Sequence, residues 1–307
     1  MLVNTLPGLA ALVAILRSRG TFAFDTEGRE LGTTEGALSV VSFRTFNAET
    51  FLVDVLAFTD EQLQPLFAVL ADETVTKLVW DGRMDASELL HGHGVQLRGA
   101  LDLQVADIAA RRRRESFFDQ KRRLSRGYRS VPASSITTAE FTDVHRLNGL
   151  RGAAEEFGLI SRPAFRGAPP KFDHSRWLQR PLTAAQISYA TEDVEQIIAL
   201  YRIFCNKLYI EEAELKLQSA AYHSLHESGR PGRNDQYQQH SMMPLDILDL
   251  PSPYASRKAC GGCKRELSQR CFPIRGGKCF VCMATGREQV KSTNTFGRGG
   301  GRGMLAF

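Results

Sequence analysis

Apolar residues follow two spacings along the first 200 residues, and both predict regular structure. The run "TFAFDTEG" at 21–28 and the runs at 38–46 and 50–56 are rich in β-branched and aromatic residues. Each is bounded by turn-forming residues, which predicts three strands. The short apolar run "KLVW" at 77–80 predicts a fourth buried strand.

Apolar residues spaced three and four apart predict helices around these strands. One begins before Leu9, a second follows Thr59 or Asp60, and a long one follows Thr183 through Tyr201. Strands come first, helices follow, and one strand–helix–strand crossover joins them. This order predicts an α/β fold in which helices flank a mixed β-sheet.

The last third of the chain differs from this pattern. Residues 223–256 are polar and carry four prolines, which is typical of a linker. Residues 257–290 hold closely spaced cysteines, and residues 291–307 form a Gly/Arg-rich tail that we expect to be disordered. The predicted organisation is therefore a main domain at 1–222, a linker, a small cysteine module and a tail.

The net charge of +5 hides an uneven distribution. Residues 111–129 carry a balance of +7 and residues 254–307 a balance of +9, so the rest of the chain is acidic. Such basic segments attract polyanions, and nucleic acid is the commonest partner. A solvated basic loop or a nuclear import signal explains the arginine run equally well. The candidate nucleic-acid-binding residues are Arg111, Arg112, Arg113, Arg114, Lys121, Arg122 and Arg123.

The N-terminal apolar stretch does not have the features of a secretory signal. It lacks a charged start and a small-residue cleavage site, and no apolar run reaches the ~18 residues of a membrane span. We expect an intracellular protein with no membrane partner, in the nucleus or cytoplasm rather than in the mitochondrion.

Two carboxylates share one face of the first predicted strand. Alternation along 21–28 places Asp25 and Glu27 together, beside core residues. Burying unpaired carboxylates there costs several kcal/mol, about 2–7 for a polar group and more for a charge. Oxygen ligands suit Mg²⁺ or Mn²⁺, and such a cation would relieve the repulsion. The alternative is that both side chains project into solvent where the strand ends.

Three more polar residues become informative beside this pair. Asp85 follows the strand at 77–80 and opens a helix, where it could serve only as a cap. Tyr189 and Asp193 lie four residues apart, so a helix places them on one face, where packing and solvation alone could explain them. Spacing does not show that these elements converge.

The order of several short segments resembles a known family. The pieces are "FAFDTEG", "KLVWDGRMDASELLHGHGVQLRGALDLQVAD" and "WLQRPLTAAQISYATEDVEQIIALY". Together they are similar to the DEDDy-type 3′–5′ exonuclease family of ribonuclease D and the Werner exonuclease domain, nearest its Egalitarian-like branch. The resemblance covers most of residues 1–210. It implies a ribonuclease H-like fold and two-metal hydrolysis of RNA or single-stranded DNA from a 3′ end.

The resemblance also implies a role for each matching residue. Asp25 would bridge two Mg²⁺ or Mn²⁺ ions, Glu27 and Asp193 would bind the ion that activates water, and Asp85 would act nearer the second ion. Tyr189 would position the nucleophile. The residues before Asp85 depart from the family pattern, and Asp81 could compete with Asp85. Some relatives have lost these carboxylates, so an inactive RNA-binding adaptor on the same fold is the alternative.

The cysteine module has the spacing of a zinc site. Cys260 and Cys263 form one C-x2-C pair, and Cys279 and Cys282 form another after fifteen intervening residues. This pattern predicts a structural tetrahedral Zn²⁺ site, with free thiols or disulfides as the alternative. Cys271 could substitute as a ligand. Cys205 lies in a helical run, where we expect a buried thiol.

Overall fold

The computed structural model describes residues 1–127, 143–161, 173–232 and 242–285. Within these ranges, residues 1–110 and 148–232 form one compact unit, and residues 111–127, 143–147 and 242–285 form a second. The basic segment therefore groups with the cysteine module, which differs from the predicted boundaries of 1–222 and 257–290. The predicted tail at 291–307 lies outside the described residues.

A six-stranded mixed sheet forms the centre of the first unit, and it confirms the predicted fold class. The strand order is β1-β4-β3-β2-β5-β6. β2 and β4 run antiparallel to β3, while β1 is parallel to β4 and β5 is parallel to β2 and β6. The strands are β1 (Leu2–Val3), β2 (Thr21–Arg29), β3 (Ala37–Thr45), β4 (Thr50–Asp54), β5 (Thr76–Val79) and β6 (Ala100–Asp102).

Several helices of the first unit begin where a capping side chain precedes the helix. Thr59 and Thr183 each form a capping box with the glutamine three residues later, which fixes two helix starts. The helices are α1 (Leu6–Arg19), α2 (Asp60–Ala71), α3 (Arg83–His93), α4 (Leu103–Arg114), α6 (Leu150–Glu156), α7 (Ala184–Asn206) and α8 (Glu212–His223). Of these, α4 continues into the basic segment.

The sheet is buried on both faces, so strand alternation alone did not separate inside from outside. Phe22, Ala23 and Phe24 are successive residues of β2, and all three are fully buried. Phe22 and Phe24 both contact Phe43 of β3, with ring centroids 5.6 and 5.8 Å apart. Asp25 and Glu27 therefore extend from a strand whose backbone is held rigidly in the core.

Two local expectations differ from the structure in the first unit. Asp85 could have served as a helix cap, but α3 begins earlier, after Gly82, and has no side-chain cap. The Asp85 side chain instead makes a long-range contact with Thr26. Cys205, expected to be buried, is exposed in the last turn of α7. Within the described residues, no helix is long and apolar enough to cross a membrane.

The second unit packs a basic helix onto the cysteine-bearing segment. Residues 117–127 form helix α5 (Phe117–Gly127). β7 (Arg257–Ala259) pairs antiparallel with β8 (Glu266–Ser268). Leu124 of α5 shares a core with Met242, Leu245 and Phe272. Because 242–249 contribute to this core, the described C-terminal part of the predicted linker is folded structure.

Candidate active site

Three carboxylates predicted as metal ligands meet in the first unit. One oxygen from each of Asp25, Glu27 and Asp193 lies within 4.8 Å of the other two. Asp25 and Glu27 come from β2 and Asp193 comes from α7. Residues 168 positions apart in the chain thus share one site.

A β-bulge shapes the strand at this point. The register between β2 and β3 shifts between Glu27 and Gly28. A Cβ on Gly28 would lie 2.2 Å from the Ala37 carbonyl oxygen, so only glycine allows the two backbones to approach so closely. Bulges commonly redirect a neighbouring side chain, and here the neighbour is Glu27.

Thr26, which lies between Asp25 and Glu27 in the chain, holds Asp85 beside the three carboxylates. Asp85 Oδ1 accepts hydrogen bonds from the Thr26 backbone nitrogen, at 3.1 Å, and from the Thr26 hydroxyl, at 2.6 Å. Asp85 is buried on the first turns of α3. Its electric field raises the pKa of both Asp25 and Glu27, which shows how near it lies.

Tyr189 completes the predicted set from one turn before Asp193. Burial raises the pKa of Asp193, and the hydrogen bond that the Tyr189 hydroxyl donates to its carboxylate acts against this rise. Burial and the surrounding carboxylates raise the pKa of Tyr189. The tyrosine is therefore a neutral hydrogen-bond donor at physiological pH.

The carboxylates repel one another in the metal-free site. Burial, followed by Asp193 and Asp85, raises the pKa of Glu27 to about 9. Burial also raises the pKa of Asp85 and that of Asp193 to about 6 each. The pKa of Asp25 lies well above its usual range for the same reasons. Bound divalent cations would favour ionisation of these carboxylates, and carboxylate oxygens are ligands that Mg²⁺ and Mn²⁺ prefer.

Asp81 and Asp85 have different partners. Asp81 has a left-handed backbone (φ 59°), and its carboxylate pairs with Arg83 at 2.5 Å and accepts from the Tyr222 hydroxyl at 3.1 Å. The backbone nitrogen of Asp81 donates to Asp102, which also bonds His223 at 2.9 Å. Asp81 thus belongs to a hydrogen-bonded network with Arg83 and Tyr222, whereas Asp85 contacts Thr26 of β2.

A segment before α7 contributes a residue that sequence reasoning missed. His174 Nδ1 lies 3.9 Å from Glu27 Oε2, and its ring stands perpendicular to that of Tyr189 at 5.5 Å. The Trp177 indole N–H donates to His174 Nδ1 at 3.4 Å. A lone histidine in a loop gives no periodic signal, so only the fold shows its place.

Arg180 anchors this segment to the sheet. Its guanidinium forms a bidentate ion pair with Asp54 of β4, through Nε at 2.8 Å and Nη2 at 2.5 Å. Arg180 also donates to the Ser39 hydroxyl at 3.0 Å, and Ser39 donates to the Trp177 carbonyl. These bonds fix His174 and Trp177 beside Tyr189.

The four predicted zinc ligands come together in the second unit. One sulfur from each of Cys260, Cys263, Cys279 and Cys282 lies within 4.8 Å of the others. The Cys279 backbone nitrogen donates to Cys260 Sγ at 3.1 Å, a contact that favours a thiolate. A Cβ on Gly262 would lie 2.8 Å from Cys282 Sγ, so a glycine is needed there.

The remaining cysteines lie apart from this cluster, and all six are free thiols. Cys271, the suggested substitute ligand, contacts Ser268 Oγ at 3.6 Å instead. Burial raises its pKa to about 12. The residues present therefore fit one tetrahedral zinc ion held by four thiolates.

The basic candidate residues divide into structural and exposed members. Arg111 is buried and donates to the Arg146 carbonyl at 2.8 Å, which corrects its assignment as a surface contact. Arg112 pairs with Asp249, and Arg123 pairs with Glu115 at 2.6 Å. The exposed members are Arg112, Arg113, Arg114 and Arg122, with Lys121 and Arg123 partly buried.

Comparison with known proteins agrees with these features. Residues 2–126 match the family model described as 3′–5′ exonuclease. The chain is 28% identical over 208 residues to ribonuclease D of Gluconacetobacter diazotrophicus. The match covers 68% of this chain and 43% of that relative, so the chain spans less than half the relative's length.

Solved structures show the same fold. The structure of Trypanosoma brucei RNase D is 22% identical, with a TM-score of 0.55, and covers 76% of this chain and 73% of that one. The T. brucei RNase D complex with RNA U12 is also 22% identical, with a TM-score of 0.58 and coverages of 87% and 82%. The mixed-sheet fold is confirmed, and the match of residues 2–126 to the 3′–5′ exonuclease model agrees with the resemblance inferred from the motifs.

Proposed function

We propose that this chain, whose residues 2–126 match the 3′–5′ exonuclease family model, is a metal-dependent 3′–5′ exonuclease of RNA or single-stranded DNA. The observation that carries the proposal is the meeting of Asp25, Glu27 and Asp193 within 4.8 Å, with Asp85 fixed beside them through Thr26. Four carboxylates from a strand and two helices have no structural reason to gather without cations.

The substrate class follows from charge and from the relatives. A ribonuclease D is the curated relative, and a T. brucei RNase D has been solved with RNA U12. In this chain the second unit carries Arg113, Arg122 and Lys121 on helices that are strongly basic, which suits a phosphate backbone. We infer RNA as the substrate, with single-stranded DNA as the second candidate.

The residues present suggest how the reaction would be organised. Bound Mg²⁺ or Mn²⁺ would neutralise the carboxylates, acidify an attacking water and stabilise the departing 3′ oxygen. Asp25, Glu27 and Asp193 would hold these ions, with Asp85 on the side of the departing oxygen. Tyr189, a neutral donor bonded to Asp193, would orient the water in line with the phosphorus. Hydrolysis would then release nucleotides one at a time from the 3′ end.

The second unit would carry a structural zinc ion. Its described part has a small core of twelve buried residues, four of which are cysteines. Zinc held by four thiolates would supply much of the folding free energy of such a unit.

A cleavage assay tests the enzymatic proposal. Full-length protein is incubated with RNA and DNA strands labelled at the 5′ or the 3′ end, with Mg²⁺, with Mn²⁺ and with chelator. Stepwise shortening from the 3′ end that disappears with chelator and in Asp25→Asn supports the proposal. Glu192→Gln is the matched control, because Glu192 neighbours Asp193 but is exposed and bonded to Ser188. Tight RNA binding without cleavage in either metal would instead identify an adaptor.

A further inference from the structure

We propose that Arg230 is a positioning residue for the carboxylate cluster, acting through Glu88 and the loop that follows β2. This inference rests on the proposed function. It assigns a role to the residues after α8, beyond the predicted domain limit at 222 and outside the segments that carry the family resemblance. The argument begins with the loop itself.

The loop at 30–36 leaves β2 directly after the bulge at Glu27 and packs on α3. The Gly32 backbone nitrogen donates to Glu88 Oε2 at 2.8 Å, and the Ser87 hydroxyl donates to the Gly32 carbonyl at 2.7 Å. Gly32 has a φ of +71°, and a Cβ there would lie 2.5 Å from the Met84 carbonyl oxygen. The loop backbone therefore touches α3 at the residue preceding Asp85.

Arg230 joins this loop to the helix. Its Nη1 donates to the carbonyls of Thr33 at 2.8 Å and Gly36 at 3.1 Å, and its Nη2 donates to Glu88 Oε1 at 3.1 Å. Only 2% of the Glu88 side chain and 16% of the Arg230 side chain are exposed. A planar guanidinium can reach all three oxygens at once, whereas an ammonium group is a single point donor.

Two glycines make room for the ion pair. A Cβ on Gly36 would lie 2.3 Å from Glu88 Oε2, and a Cβ on Gly92 would lie 2.9 Å from Arg230 Nη2. Nearby, the His91 ring nitrogen Nε2 lies 2.7 Å from the His226 carbonyl oxygen, so the chain around 226–230 follows α3. The site for the Arg230 side chain is thus shaped by the surrounding backbone.

The consequence concerns the place of Asp85. Asp85 and Glu88 are three residues apart on α3, so they lie on neighbouring turns of one face. Asp85 binds β2 through Thr26, and Glu88 binds the loop after β2 through Gly32. Arg230 bonds both Glu88 and the loop, so it stabilises the contact between α3 and the loop. In this way it would hold Asp85 at a fixed distance from the carboxylates on β2.

The test measures cation binding as well as cleavage. Mn²⁺ is titrated into zinc-loaded full-length protein and followed by electron paramagnetic resonance, for wild type, Arg230→Met, Arg230→Lys and Glu88→Gln. Loss of a residue that orients metal ligands typically weakens metal binding by about 10–100-fold, so we expect Arg230→Met to raise the Mn²⁺ Kd at least about tenfold. Arg230→Lys should fall between Arg230→Met and wild type.

Controls separate positioning from stability. Arg151→Met removes an exposed arginine of α6 that pairs with Glu155, and it should leave the Mn²⁺ Kd unchanged. The melting temperature of each metal-free variant shows how much protein is folded. If folded Arg230→Lys and Glu88→Gln bind Mn²⁺ as wild type does, Arg230 has only a structural role and the inference is overturned. If wild type neither binds Mn²⁺ nor cleaves, and Asp25→Asn changes nothing, the proposed function itself fails.

Discussion

Thr26 donates two hydrogen bonds to one carboxylate oxygen of Asp85, from its backbone nitrogen and from its hydroxyl. Thr26 lies between Asp25 and Glu27 in the chain, so the same strand that presents two carboxylates also holds the third. Burial raises the pKa of Asp85, and the hydrogen bond from the Thr26 hydroxyl acts against this rise. Thr26 is thus part of the site, although a motif match that considers only the acidic residues would give it no role.

Removing the hydroxyl should weaken this link. Thr26→Val keeps the shape of the side chain but leaves Asp85 with only the backbone donor. We expect the free energy of unfolding at pH 8 to fall by about 1.5–3 kcal/mol, the usual worth of a hydrogen bond to a charged group. Chemical denaturation measures the change. Thr26→Ser retains the hydroxyl and should stay near wild type; an equal loss in both variants would contradict this explanation.

The carboxylate cluster should destabilise the metal-free protein as pH rises. When a carboxyl group has a higher pKa in the folded than in the unfolded state, the protein loses stability as the pH rises from the unfolded to the folded pKa. This pH range is 4.5 to about 9 for Glu27 and 3.8 to about 6 for Asp193. Asp193→Asn should therefore raise the free energy of unfolding by about 1–3 kcal/mol at pH 8 and change it little at pH 4.

Denaturation of chelator-treated protein at both pH values checks this sign. Glu192→Gln, at the exposed neighbouring position, should show a much smaller gain, because burial of Asp193 contributes more to its raised pKa than the Glu192 charge does. Added Mn²⁺ should abolish the advantage of Asp193→Asn, because the cation neutralises the wild-type cluster. A loss of stability in Asp193→Asn at pH 8 would mean that the carboxylates do not repel one another as their raised pKa values require.

Tyr189→Phe should separate orientation of the nucleophile from metal binding. The variant loses the hydroxyl bonded to Asp193 but keeps the ring that packs against Trp177 and His174. We expect kcat to fall about a hundredfold, the scale on which a misplaced reactant slows a reaction, with Mn²⁺ affinity unchanged. Assays at pH 8.5 keep Asp193 ionised in both proteins. An unchanged kcat would exclude the tyrosine from the reaction.

Zinc should be stoichiometric and should stabilise the second unit. We expect one zinc ion per chain by elemental analysis, and loss of the tertiary structure of the second unit when a strong chelator removes it, since such sites supply on the order of 10 kcal/mol. Cys279→Ser should lose the metal. Cys271→Ser is the matched control, because Cys271 is buried nearby yet contacts Ser268. Zinc loss in both variants would require a different ligand set.

Substitution of exposed arginines should change RNA affinity, whereas substitution of the buried Arg111 should change stability. Arg113→Ala and Arg122→Ala, both at exposed positions, should each reduce the slope of log affinity against log salt by about 1, as expected for a lost phosphate contact. Arg111→Ala should instead lower stability, by about 1–3 kcal/mol, because it leaves the Arg146 carbonyl without its donor. Binding is measured with chelator present at several salt concentrations. A salt slope unchanged by the first two substitutions would remove the basic helices from the interface.

The sequence by itself determined the residue types of the site and most of the elements that carry them. Alternation and helical spacing predicted β2, β3, β4, β5 and the long helix α7 because their apolar positions recur regularly. The cysteine spacing predicted the zinc-ligand cluster, because each C-x2-C pair places two thiols close together in the chain. The family resemblance predicted that the distant carboxylates would meet, because the local spacing of residues does not show which elements come together.

The tertiary structure alone decided which charged side chain has which partner. Asp81 and Asp85 differ by four positions, yet one pairs with Arg83 and the other with Thr26. Arg111 is buried while its neighbour Arg113 is exposed, and Glu88 binds an arginine 142 residues away. The physical reason is that burial and long-range hydrogen bonds depend on where the chain returns in space. Local sequence fixes the spacing of residues along an element, but it does not fix the element that lies opposite.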